Sequence, residues 1–164
     1  MLVILPLLIT ALIVLRLILL VDDHGRDWTT NFAAWTDEAS DASMQPLRLP
    51  NRPPELSQRI ARWAGQQPAW KVLDFGASAT VKTTESGHVD ADAESTEKIM
   101  RLHLTRTTPL FRFVDDIHVT LEAVGTSEAP RTIVRAESKS RVGKGDLGQN
   151  PRNLRELRSA LEST

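Results

Sequence analysis

Residues 2–21 read LVILPLLITALIVLRLILLV and carry one charge, Arg16. A helix rises about 1.5 Å per residue, so this run spans roughly 30 Å, the hydrocarbon thickness of a bilayer. It is apolar on every side, whereas a surface helix of a globular core carries one apolar stripe. Pro6 lies near the start, where a membrane helix tolerates it. Arg16 lies about one and a half turns from the C-terminal end, close enough to snorkel to the interface. A cleaved leader needs a basic start, a shorter apolar run and a small-x-small cleavage site. None of these is present, nor is a cysteine to accept a lipid. The reading is an uncleaved, single-pass transmembrane anchor over 1–21. Acidic residues contribute little to orientation, and Arg26 is the first cation beyond the run. The orientation favoured puts the soluble domain on the extracytoplasmic side.

Residues 22–52 have no sustained period and are rich in Asp, Ser, Thr and Pro, so they read as a tether. Trp28, Phe32 and Trp35 fall at near-helical spacing there. They suit either the membrane interface, which favours tryptophan, or docking on the domain. Residues 53–65, PPELSQRIARWAG, read as a helix. Pro54 fits its first turn, Glu55 its positive end and Gly65 its stop, and Leu56, Ile60 and Trp63 form one apolar stripe.

A strand-rich block follows. Strands are expected over 69–75, 78–84, 97–107, 111–123 and 131–138. Met100, Leu102 and Leu104 alternate with Arg101, His103 and Thr105; Phe113, Asp115, Ile117, Val119 and Leu121 alternate with Val114, Asp116, His118 and Thr120. Period two over this length marks half-buried antiparallel strands with one wet face. A final helix is expected with Asn150 as its cap, Pro151 as its first residue, and Leu154, Leu157 and Leu161 as its stripe. The fold class is therefore α+β: an N-terminal transmembrane helix, then over 53–164 a two-layer domain of helices on an antiparallel four- to five-stranded sheet.

Several chemistries are excluded. With 20 Lys+Arg against 21 Asp+Glu, the net charge of −1 lacks the basic excess of a nucleic-acid binder. There is no cysteine, so no disulfide, thiol nucleophile or thiolate metal site. The histidines at 24, 88, 103 and 118 have no metal-ligand spacing. Residues 88–97, HVDADAESTE, alternate carboxylates like a calcium loop but put Ser95 and Arg101 where glycine and glutamate belong. They read as a solvated acidic loop. The sequence calls for no cofactor and no metal.

Gly143, Gly145 and Gly148 spell G-x-G-x-x-G between a strand and a helix. A dinucleotide fold also needs a second parallel strand and an acid about 20 positions later. Only 16 residues follow Gly148, and they make one helix. The bend can instead be a rigid turn. Alternatively its amides, with Ser138, Ser140, Arg141 and Lys144, can form a nest for a small anion at the helix start, although Asp146 opposes one.

RFVDDIHV and VRAESKSRVGKGDLGQNPRNLRELRSAL together resemble the signature of an uncharacterised bacterial and plastid family, domain of unknown function 1499. The matching positions are Phe113, Asp115, Asp116, Ser138, Ser140, Arg141, Gly143, Asp146, Gly148 and Asn150. Ala136-Glu137 departs from the family's Arg-Ser. The resemblance covers residues 53–162 and implies a fold and a polar cluster, without a reaction; members that look membrane-attached or exported agree with an anchor.

Asp115 and Asp116 are strand neighbours and face opposite ways, so they cannot act as a carboxylate pair. Asp115 falls on the apolar side and needs a partner, for which Arg141 or the loop amides are the candidates. Asp116 and His118 share the wet face. The expected role is a non-enzymatic binding or assembly module at a membrane, its partner a membrane protein or a small anionic ligand. Its candidate site comprises Asp115, Ser138, Ser140, Arg141, Gly143, Lys144, Asp146, Gly148 and Asn150. The alternative is a small-substrate enzyme using Asp115, Asp116 and Arg141.

Overall fold

The computed structural model describes residues 4–20, 25–81, 97–126 and 128–163. The acidic loop at 88–96 lies outside them. Helix α1 spans Ile4–Leu20, 17 residues, and the apolar side chains described on it, from Ile4 to Leu15 and at Ile18 and Leu19, are exposed. Among the described residues no helix is long and apolar enough to cross a membrane. The described part of the run expected to span the bilayer is thus helical, while residues 1–3 and 21 of it lie outside the described residues, and the transmembrane expectation finds no support among those described.

Four long strands build the sheet: β3 (Trp70–Val81), β4 (Glu97–Thr107), β5 (Val114–Gly125) and β6 (Pro130–Ser140). They form an antiparallel meander in which β5 lies between β4 and β6. The two strands expected at 69–75 and 78–84 are one strand, β3, whose pairing with β4 shifts register between Val72 and Asp74 and between Gly76 and Ala79. Such bulges kink a strand without ending it, which is why period-two counting split it in two.

Two further strands come from the stretch read as a tether. β1 (Phe32–Ala34) pairs with Lys139, Ser138 and Glu137 of β6, and β2 (Leu47–Leu49) pairs with Val134, Ile133 and Thr132 of the same strand. A 3₁₀ turn at Ala42–Met44 separates them. The sheet therefore has six strands, where four or five were expected. Trp35 is buried in the core, while Trp28 and Phe32 remain exposed. The near-helical spacing of these aromatics does not correspond to a helix.

Helix α2 (Pro53–Gln66) and helix α3 (Gln149–Glu162) cover one face of the sheet. Glu55 accepts from the Arg52 amide at 3.4 Å, closing the first turn of α2. Leu56 and Ile60 of α2 and Leu154, Leu157 and Leu161 of α3 meet Leu102, Leu104, Ile117, Val119, Leu121 and Val134 of the sheet. Each such side chain contributes about 1.5–3 kcal/mol on burial. The other face carries Arg101, His103, Asp116, His118, Arg135 and Glu137, as the alternation requires.

Candidate functional site

The polar cluster is built where β5 and β6 end against the start of α3. Antiparallel register sets Asp115 opposite Ser140 and Ile117 opposite Ser138. Because side chains alternate, Asp115, Ser138 and Ser140 all point to the helix-covered face. Asp115 is 1% exposed. Its Oδ1 accepts from the Ser140 hydroxyl at 2.6 Å, and its Oδ2 accepts from Asn153 Nδ2 at 2.9 Å. Asn153 Nδ2 also donates to Ser138 Oγ at 3.1 Å, and the Ser138 hydroxyl donates to Asn150 Oδ1 at 2.6 Å. Asn150 Nδ2 donates to Ser140 Oγ at 3.0 Å and to the Asn31 carbonyl at 2.9 Å. Gln149 Nε2 satisfies Asn153 Oδ1 at 2.7 Å. The buried carboxylate is thus held by neutral donors from β6 and α3. Arg141, a partner suggested by the sequence, is not among them.

The glycine bend closes over this cluster. Gly148 caps α3 in the left-handed region, φ 75°. The cap expected at Asn150 therefore lies two residues earlier, and Asn150 is buried within the first turn. Asp146 accepts from the amides of Gly148 at 2.9 Å and Asn150 at 2.8 Å. The positive end of the helix is thereby occupied by the chain's own carboxylate, the geometry an external anion would otherwise take. Gly145 leaves room for the carbonyl of Trp28, with which a β-carbon would collide. The Leu147 amide donates to the Asp27 carbonyl at 3.0 Å, and Asn31 Nδ2 donates to the Gly143 carbonyl at 2.9 Å. The segment 25–31 is stitched to the bend. Lys144 is exposed beside it.

Arg141 turns to the opposite face. Its Nε and Nη2 donate to Asp116 Oδ2 and Oδ1, each at 2.7 Å, a two-pronged ion pair. His103 Nε2 donates to Asp116 Oδ1 at 2.8 Å; an ionised carboxylate only accepts, so the proton lies on Nε2. The hydrogen bonds from Arg141 hold the Asp116 carboxyl down at about 2 from its ordinary 3.8, against the opposing effect of partial burial and with further help from His103. The same bonds raise Arg141. His103 stacks on His118 with ring centroids 4.4 Å apart. Alongside, Arg101, Thr120 and Arg135 border an open depression of ≈ 480 Å³. Asp115 and Asp116 therefore share no accessible spot. Among the described residues, no group of three or more acidic or histidine side chains can hold a metal.

The sequence pattern of the family described as Protein of unknown function (DUF1499) matches residues 27–161. The chain belongs to this family. No curated protein and no solved structure matches it. The DUF1499 match begins at Asp27, ahead of the residue 53 where the sequence resemblance starts. That earlier boundary agrees with the structure, in which Asp27 and Asn31 bind the glycine bend and β1 and β2 join the sheet. Of the positions on which the sequence resemblance rests, Asp115, Ser138, Ser140, Asp146, Gly148 and Asn150 converge on one network. Asp116 and Arg141 form a second pair on the open face, and Phe113 is exposed at the hairpin tip. Asn153, Gln149 and Asn31 complete the buried network and were not identified from the sequence, whereas His103 lies opposite, on the wet face, as its strand alternation places it. The first had a signal: Asn150 and Asn153 stand at i, i+3, so both amides share one side of α3.

Proposed function

We propose that this DUF1499 chain is a membrane-seated, non-enzymatic binding or assembly module. In this reading α1 lies in the bilayer and the domain is a rigid platform held above it. The observation that carries the reading is α1 itself: 17 residues with a bilayer-like composition and apolar side chains open on all sides. Seventeen residues rise about 25 Å, somewhat less than the roughly 30 Å of a bilayer core. The cluster around Asp115 supports the platform role, because its donors and acceptors satisfy one another and lock α3 to β5 and β6. The open depression beside Arg101 and Arg135 is the surface left to meet a small anion or a protein.

The test is extraction. The full chain should remain with membranes through alkaline carbonate and leave only in detergent. Replacing Leu12 and Leu15 by arginine costs about 2.5–3.5 kcal/mol for each charge placed at mid-bilayer and should release it. Release of the unaltered chain by carbonate alone would refute the reading.

A further inference from the structure

We infer that one end of the domain, the end bearing the glycine bend, seats on an anionic bilayer surface. The inference rests on the reading of α1 as membrane-seated and names the surface the domain meets.

Topology gathers three segments at this end. The β4–β5 hairpin turns at 108–113, the bend at 141–148 follows β6, and segment 25–31 runs in beside it. The amide of Arg141 donates to the Val114 carbonyl, that of Ser140 to the Asn31 carbonyl and that of Leu147 to the Asp27 carbonyl, each at 3.0 Å. Exposed large apolar side chains collect there: Leu110 (73%), Phe111 (59%) and Phe113 (49%) on the hairpin, Val142 (66%) on the bend and Trp28 (52%) on the incoming segment. The opposite hairpin, around Gly125–Pro130, shows none among the described residues.

The apolar tip is also shaped. The Thr108 amide donates to the Phe113 carbonyl at 2.8 Å, and the Phe113 amide to Thr108 Oγ1 at 2.9 Å. The rings of Phe111 and Phe113 stack at 5.6 Å. Around the tip stand two exposed cations, Arg112 and Lys144, while Arg141 is engaged by Asp116. The nearby carboxylate of Asp146 is engaged by backbone amides. Aromatic side chains rimmed by Lys and Arg match the headgroup layer of an anionic membrane.

Chain length makes lipid the occupant. About five peptide links join Leu20 of α1 to Gly25, so these residues lie within roughly 18 Å of each other. Whatever holds α1 therefore sits close to this end of the domain.

The chain has no cysteine, so single thiols can be introduced cleanly. Full-length variants Phe111→Cys, Val142→Cys, Glu128→Cys and Leu12→Cys, each carrying a polarity-sensitive fluorophore, are reconstituted in mixed phosphatidylcholine and phosphatidylglycerol vesicles. Labels at 12, 111 and 142 should shift to the blue and resist an aqueous quencher, while the label at 128 should do neither. Adding Arg112→Glu with Lys144→Glu should return the label at 111 toward water. A label at 111 as water-accessible as that at 128, with 12 still shielded, overturns the proposal and leaves the membrane-seated helix intact. A label at 12 in water overturns both. Shielding of 111 that grows with protein-to-lipid ratio identifies a second copy as the occupant and also overturns it.

Discussion

Asn153→Ala is the sharpest probe of how the domain holds together. The Asn153 side chain donates to Asp115 Oδ2 at 2.9 Å, donates to Ser138 Oγ and accepts from Gln149 Nε2. Asp115 is 1% exposed, so water does not replace a lost donor. A hydrogen bond to a charged group contributes about 1.5–3 kcal/mol, and orphaning a buried partner falls at the upper end of that range. The expected loss is therefore about 3 kcal/mol, or about 10 °C in melting temperature for a domain of this size. Denaturant unfolding of the full chain in mild detergent, followed by tryptophan fluorescence, measures it. Asp115→Ala with Asn153→Ala should cost less than the two single changes added, by about 1–2 kcal/mol, because the double variant leaves no orphaned charge. A single variant within 0.5 kcal/mol of the parent, or strict additivity, would refute the idea that the carboxylate depends on α3.

Other perturbations give distinct readouts. Arg141→Ala should let the Asp116 carboxyl climb from about 2 back toward 3.8, measurable by NMR titration. Since its folded value is depressed, Asp116 contributes stability that is fully present above 3.8 and lost as pH falls through about 2. The variant should therefore converge with the parent in acid. Gly148→Ala should destabilise by about 1–3 kcal/mol, because φ is 75° and the new β-carbon would stand 2.6 Å from Asp27 Oδ2. Gly145→Ala should raise hydrogen exchange at residues 25–31 while leaving β4 and β5 protected, since it pushes on the backbone carbonyls of Asp27 and Trp28. Leu157→Ala, emptying a fully buried site, should cost about 2–5 kcal/mol by the same denaturant assay.

Much of this arrangement is written in local pattern. The strict alternation through Asp115–Leu121 marks β5 and predicts that Asp115 and Asp116 face opposite ways. The leucines at 154, 157 and 161 name the buried side of α3. These are decided by periods of two and 3.6, which neighbouring residues report by themselves. The apolar run likewise declares a helix unlike the rest of the chain.

Only the tertiary structure decided who meets whom. Asp115 is held by Asn153, 38 residues away, and Arg141 reaches Asp116 instead, on the opposite face. Residues 32–34 and 47–49 lack any period because strands of three residues are too short to show one; their pairing with β6 makes them part of the sheet. Asp27 meets the bend through its backbone carbonyl, a group every residue carries and no sequence pattern can flag. Polar contacts of that kind are selected by the distance between elements once the core has packed, and that distance is a property of the whole chain.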